Sequence, residues 1–494
     1  MPTIQIPGKP GNASSARPAE GPLRRLLKNL STLLTAPVLL TGCAAWNYAP
    51  VVNIPRGEIS EGVKVFTNAR IITMTEEEEP HWFQGSVAVR GDAISYVGPD
   101  LPVIDEGEVF DCDGRWIIPG LADAHVHLLF NPADPLLYLA HGVTSVRDMG
   151  GPTPEARGHK TLAWDDHLGL RSRIAAGDVL GPTIYAASGI HEAPSGAYFD
   201  KRLYIPVKNE EQALTSLRRA EEEGFDYFKI YNKFPAEALA AVSREADRLG
   251  IPVVGHVPHG ISLQEVLNDR LMHSIEHLTG YINPFGEFKF PADQMDHMAG
   301  LTAEAGVWNV PTLEVWRNLV RIEKIDDIQN SPWSKYLPAS TRKIWSNSLQ
   351  GFTKRITKQV PGYSILPSEH MEDFEVLFHA LHRAGAPIAA GSDAGTLNVI
   401  AGSSLMDELT AYVRLGMTPF EALKTATVDG ARCFQDEGTF GVIAPGARAD
   451  FLLLRENPLD NIENLKTLET VVLRGTVYSK ESLMQKLDTM AEEF

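Results

Sequence analysis

Through the middle of the chain, short apolar runs alternate with segments whose apolar residues recur every three or four positions. The runs fall at about 117–126, 142–149, 182–188, 226–231, 252–257, 274–278, 307–313 and 388–393. Such runs, bounded by Gly, Pro or Asp, predict strands buried on both faces. The intervening segments 211–223, 236–249 and 402–415 carry the helical period. Eight strands alternating with helices predict an α/β fold, a (β/α)8 TIM-like barrel. A doubly wound sheet is the alternative, but no glycine-rich dinucleotide turn stands where it would need one.

The texture changes at both ends. Residues 63–72, 85–90 and 93–99 are short β-rich segments separated by turn residues, and 449–454 and 469–478 return to the same pattern. The run Glu76 to Glu79 reads as a solvated hairpin tip. One small β-sandwich domain is therefore expected from 58–117 and 436–480, around a barrel at 118–435, with 481–494 as a C-terminal tail. Strands seven and eight are about seventy residues apart. The insertion 314–375 carries Trp316, Trp333, Tyr336, Trp345, Phe352 and Tyr363. Insertions after barrel strands overhang the mouth of the site. These aromatics either meet substrate or form the insertion's own core.

Residues 1–22 lack periodicity and are rich in Pro, Gly, Ala and Ser. Arg24, Arg25 and Lys28 then precede an apolar run from Leu30 to Leu40, followed by Thr41, Gly42 and Cys43. A basic stretch, a short apolar stretch and small residues form a secretory signal, here 1–42, and the run is too short to span a membrane. Leu-Thr-Gly-Cys resembles the lipobox of bacterial lipoproteins, which implies lipidation at Cys43, a tether over 43–57 and anchoring in the cell envelope. Ala44 after the cysteine resembles lipoproteins of an outer membrane, facing the periplasm. The net charge of −18 disfavours nucleic acid as a partner. Cys112 and Cys433 have no neighbours at metal-ligand spacing, and read as small core residues or as a pair across the domain seam.

Six side chains carry the chemistry, each at a predicted strand end. They are His125 and His127 in Ala-Asp-Ala-His-Val-His, Lys229 in Phe-Lys-Ile-Tyr and His256 in Val-Val-Gly-His-Val. His277 in Ser-Ile-Glu-His and Asp393 in Gly-Ser-Asp-Ala-Gly complete the set. Strand C-termini of a barrel converge, so residues far apart in sequence meet there. His-x-His at a strand end aims both imidazoles the same way, and imidazole with carboxylate suits zinc or a similar divalent ion. His259 stands three residues past His256, as an alternative ligand or a substrate contact. His191, just past strand three, stands where a substrate-binding residue would, with a surface position as the alternative. His273 reads as structural, and Arg147 with Asp148 as an internal salt bridge.

The ordered set, with Gly-Val-Thr-Ser-Val-Arg-Asp-Met-Gly at 142–150 and Gly-Val-Ile-Ala-Pro-Gly-Ala-Arg-Ala-Asp-Phe at 441–451, resembles the amidohydrolase superfamily. The likeness is greatest to its imidazolonepropionase-like and prolidase-like (dipeptidase) branch, over about residues 60–480. The resemblance implies two divalent metal ions, zinc by default. His125, His127 and Asp393 would hold one, His256 and His277 the other, and a carboxylated Lys229 would bridge them. It implies a hydroxide between the metals that attacks an amide carbonyl, with Asp393 moving its proton to the departing amine. Tyr231, on the same strand face as Lys229, would donate to the oxyanion or line the rim. A small-molecule amide, a dipeptide or N-acyl amino acid, is the expected substrate. Cyclic-amide, lactone or ester hydrolysis on the same site, and a non-catalytic ligand-binding surface lipoprotein, are the rival readings. The sequence leaves the oligomeric state open.

Overall fold

The computed structural model describes residues 62–75, 81–99, 107–151, 166–195, 203–282, 289–320, 331–343, 345–346, 369–396 and 399–494. The leader, Cys43, the tether, the Glu76–Glu79 tip, Phe352 and Tyr363 lie outside the described residues. Among the described residues no helix is long and apolar enough to cross a membrane.

The N-terminal part supplies five strands: β1 (Val63–Ile71), β2 (Phe83–Arg90), β3 (Ala93–Gly98), β4 (Glu108–Asp111) and β5 (Trp116–Pro119). Nine short strands follow. They are β6 (Leu121–Val126), β7 (Val143–Asp148), β8 (Thr183–Ala186), β9 (Ile190–Glu192) and β10 (Tyr204–Pro206). Then come β11 (Phe228–Ile230), β12 (Val253–Gly255), β13 (Ser274–Glu276) and β14 (Trp308–Val310). The C-terminal part adds β15 (Phe451–Leu454), β16 (Leu468–Leu473) and β17 (Thr476–Ser479).

Strands from both termini share one eight-stranded sheet, ordered β17-β16-β15-β5-β1-β2-β3, with β4 on β1. The sandwich expected from the sequence is thus seen as a single hydrogen-bonded sheet. Its core stacks Phe66 on Phe110 and sets Phe451 edge-on to Phe66, both at 4.9 Å, with Ile117, Val472 and the free, buried Cys112 around them. Cys433 is likewise free and buried. The single apolar run predicted at 117–126 is divided at Gly120. On one side β5 pairs antiparallel with β15; on the other β6 pairs parallel with β7.

Two parallel sheets form the middle, β6-β7-β8 and β10-β9-β11-β12-β13-β14. Parallel bridges at Ala187–Tyr227, Asn309–Ile388 and Val126–Ala394 connect them to each other and to segment 388–394. That segment makes isolated bridges rather than a continuous ladder, unlike the eighth strand expected there, and near its end Asp393 takes a left-handed φ of 59°. β9 and β10 were not foreseen, being only three residues each. Helices pack outside, including Glu210–Glu223, Ala236–Leu249 and Ser403–Arg414. The first of these begins at Asn209, whose side chain accepts from the Gln212 amide, and ends on Gly224 at φ 87°. It buries Ala213, Leu217 and Ala220, the stripe that the helical period predicts.

The segment read as a C-terminal tail is a helix, Lys480–Ala491, capped by Ser479 and docked through Leu483 and Leu487. Those leucines sit four apart, so one short apolar stripe suffices. Insertion aromatics pack inward: Trp316 stacks on Phe374 at 4.6 Å, and the Tyr336 hydroxyl donates to Asp488 at 2.8 Å.

Candidate metal centre

The strands aim six side chains at one place. His125 is the last residue but one of β6 and His127 directly follows that strand, Lys229 lies on β11, His256 and His277 come directly after β12 and β13, and Asp393 lies in segment 388–394. Backbone hydrogen bonds fix these ends together. The Asp393 amide donates to the His125 carbonyl at 2.7 Å, the His127 amide to Ala394 at 2.8 Å, and the His277 amide to Val310 at 2.9 Å. Glycine makes the approach possible. Gly395 has φ 95°, and a Cβ there would lie 2.0 Å from the His127 carbonyl oxygen. Gly255, beside His256, has φ 125°, and a Cβ there would lie 2.1 Å from the Ile230 carbonyl oxygen.

His125, His277 and Asp393 bring their ligand atoms within 4.8 Å of one another. His127 Nε2 is 3.3 Å and His125 Nε2 3.6 Å from Asp393 Oδ1. The His256 ring centre lies 4.9 Å from that of His277. Thus this trio draws its members from both of the ligand sets assigned to separate metals on the sequence. Lys229 is 1% exposed on the same strand face.

The polar atoms fit a divalent ion. His125 Nε2, His256 Nε2 and Asp393 Oδ1 are buried without a hydrogen-bond partner, which is costly unless something else meets them. Their opposite atoms are engaged. His125 Nδ1 lies 2.7 Å from Glu276 Oε2, and His256 Nδ1 lies 3.0 Å from Asn232 Oδ1. His277 Nδ1 lies 2.6 Å from Thr312 Oγ1. A carboxylate on Nδ1 selects the tautomer with Nδ1–H, leaving Nε2 as a lone-pair donor. Burial pushes His125 and His256 well below the usual imidazole range and His277 to about 4, so each is neutral, the form that ligates metals. Burial also lowers the Lys229 ammonium to about 8.

Glu276 was missed on the sequence, although it adjoins His277. Alternation should turn neighbouring residues to opposite faces, but His277 and Leu278 have φ of 57° and 54°, so the chain swings and both Glu276 and His277 serve the centre. Arg147 Nη2 donates to Glu276 Oε1 at 2.8 Å and its Nε to the Ala124 carbonyl at 2.7 Å. The expected Arg147–Asp148 salt bridge is therefore replaced. Side chains one apart on β7 face opposite ways, so Arg147 pairs with Glu276 and Asp148 with His167. Asp123 receives the Ser392 amide at 2.9 Å and ties β6 to the Asp393 loop.

The remaining expected residues are placed as follows. Tyr231 rests its ring 3.8 Å from that of His256. Burial, with Tyr204 and Glu192 nearby, holds its hydroxyl well above the ordinary tyrosine range, so it is a hydrogen-bond donor. His259 is exposed and donates its amide to the Asn232 carbonyl at 2.6 Å. His191 is buried, stacked on Phe228 at 4.1 Å, with Nδ1 3.0 Å from the Lys229 carbonyl oxygen. His273 Nε2 lies 2.7 Å from the Cys433 carbonyl oxygen. Trp345 of the insertion donates Nε1 to the Gly395 carbonyl at 3.2 Å, beside the Asp393 turn.

Residues 116–478 match the model of the amidohydrolase family. The chain belongs to that family. An amidohydrolase hydrolyses carbon–nitrogen bonds, and the family generally uses divalent metals, in keeping with the donor set just described. An uncharacterized protein of Mycobacterium tuberculosis (strain ATCC 25618 / H37Rv) is 26% identical over 404 residues, covering 76% of this chain and 88% of its own. Imidazolonepropionase of Rhizobium meliloti is 41% identical over 71 residues, 13% of this chain and 17% of that enzyme. Among solved structures, bottromycin amidohydrolase superposes with a TM-score of 0.66 at 24% identity, over 87% of this amidohydrolase and 90% of that chain. A Xaa-Pro dipeptidase with bound methionine gives 0.61 at 20%, over 85% and 100%. These two likenesses show the fold.

Proposed function

We propose that the protein is a binuclear hydrolase of small-molecule amides, with dipeptides or N-acyl amino acids as its substrate class. The observation that carries this reading is the set of three buried, unpartnered donor atoms, His125 Nε2, His256 Nε2 and Asp393 Oδ1, on residues that all feel the charge of the buried Lys229. The two parallel sheets and segment 388–394 are taken as one closed barrel, in keeping with the three bridges between them. His125, His127 and Asp393 would hold one zinc ion, His256 and His277 a second, and Lys229, as a carbamate, would serve both. An amine with its pKa near 8 is readily neutral, the form that adds to carbon dioxide.

Bound there, the metals supply a Lewis acid and lower the pKa of water. The chain's own groups do the rest. Asp393, whose backbone is pinned to His125, accepts the proton of the attacking water and delivers it to the departing amine. Tyr231 donates its hydroxyl to the developing oxyanion. Glu276 and Arg147 keep His125 in one tautomer. Prolidases and bottromycin amidohydrolase among the structural neighbours are consistent with peptide-like amides.

Metal stoichiometry tests the reading. Protein expressed with zinc and bicarbonate is expected to hold two ions per chain, falling sharply in Lys229→Ala. One ion, indifferent to Lys229, would sink the bridged centre.

A further inference from the structure

Two adjacent residues of β9 face opposite ways. β9 pairs in parallel with β10 and meets β11 where His191 registers with Ile230. Residues in register share a sheet face, so His191 sides with Ile230 and with Phe228, on which it stacks. Glu192, one residue on, shares the other face with Lys229 and Tyr231. Tyr204, in register with Ile190, is on that face too, its ring 5.8 Å from that of Tyr231.

Glu192 is 1% exposed. Its Oε1 accepts the Lys233 amide at 2.9 Å, while its Oε2 is buried with no hydrogen-bond partner among the described residues. The Lys233 ammonium is turned to the Ser195 carbonyl, 3.3 Å away. A buried carboxylate oxygen without a donor costs more than a neutral group would, and burial pushes this carboxyl up to about 7.

We propose that Glu192 is a specificity-determining residue that receives a protonated amine of the substrate on Oε2, with the rings of Tyr204 and Tyr231 beside it. An ammonium supplies the missing charge-assisted hydrogen bond, and tyrosine rings favour a cation. The assignment rests on the amide-hydrolase reading above and narrows it. The substrate carries a free ammonium near the scissile bond, as a dipeptide does, whereas an N-acyl amino acid or a neutral cyclic amide does not.

Two measurements on the zinc-loaded full chain test this. The first compares kcat/KM for dipeptides and their N-acetylated counterparts. The ratio of free to acetylated substrate is expected to favour the free amine in the native protein, and to fall about 10- to 100-fold in Glu192→Gln through KM. The second needs no turnover. Glycinamide, leucinamide, prolinamide and argininamide are titrated calorimetrically beside their N-acetyl forms, and at least one free amine is expected to bind in a way that Glu192→Gln abolishes. Because glutamine keeps the acceptor for the Lys233 amide, loss of fold is not the expected cause, and an unchanged melting temperature checks that. Ammonium-dependent binding without any hydrolysis would keep the Glu192 site and sink the hydrolase reading. Hydrolysis with no preference for the free amine, or no ammonium-dependent binding across the four pairs, would overturn the Glu192 assignment.

Discussion

Glu276 Oε2 stands 2.7 Å from His125 Nδ1, across the interior from β13 to β6, while Arg147 occupies the other oxygen of the same carboxylate. The tautomer of His125, and with it the atom proposed above to face a metal, is thus set by Glu276. Glu276→Gln keeps an acceptor for Arg147 but presents an amide N–H to His125, which favours the wrong tautomer. Zinc affinity is expected to fall about 10- to 100-fold, read by competition with a chelator. An unaltered affinity would show that the tautomer is held by something else. The variant also leaves the Arg147 charge unpaired, so a loss of about 3–5 kcal/mol in stability is expected alongside.

Gly395→Ala places a methyl group on the His127 carbonyl at a backbone angle that side chains avoid. The variant is expected to lose about 4 kcal/mol or more and to bind no metal. Gly385 has a positive φ as well, 71°, but open space around it, so Gly385→Ala should cost only about 1–2 kcal/mol. Melting temperatures of the two variants separate steric exclusion from backbone strain. Equal losses would contradict the close approach of the two chain segments.

Trp345→Phe removes the donor to the Gly395 carbonyl while keeping most of the ring's bulk. A cost of about 1 kcal/mol is expected, concentrated in the turn that bears Asp393. Amide exchange at residues 393–396 should quicken about fivefold while the amides of β1 and β2 keep their rates. Uniform quickening would mean that the insertion supports the whole fold rather than this turn.

Acid should destabilise the protein below pH 6.5. Burial lowers His141 to about 3 and His273 to about 4. Between those values and 6.5 the unfolded chain binds more protons than the folded one, so stability is complete above pH 6.5 and is lost as pH falls. Each histidine contributes at most about 1.4 kcal/mol per pH unit. Melting temperature followed from pH 7 to 4.5 should show the decline, with a shallower slope in His273→Gln. A flat profile would mean that these imidazoles stay solvated.

How much of this the sequence disclosed varied with the kind of signal. The ligand-type residues were legible because each closes an apolar run, and an apolar run ends where a strand does. The helix Ala236–Leu249 matched its predicted bounds because Pro235 and Gly250 mark both ends. Glu276 was hidden by the left-handed turn at His277, which no pattern of period two can anticipate. Glu192 was hidden because β9 is three residues long, too short to reveal which side chain faces in. Arg147 was read with its neighbour Asp148, whereas its partner lies 129 positions away. Side chains that converge from distant strands leave no mark on local spacing.

The sheet that joins both termini also sets an order of events during synthesis. β5 waits for β15 as its antiparallel neighbour, so its edge stays open until residue 454 has left the ribosome. Asp393 likewise emerges more than 260 residues after His127. The nascent chain therefore carries exposed strand edges and solitary histidines for most of its translation, the condition in which chaperone binding and stray metal capture both occur. The sheet of this enzyme can be completed only when its last strands arrive.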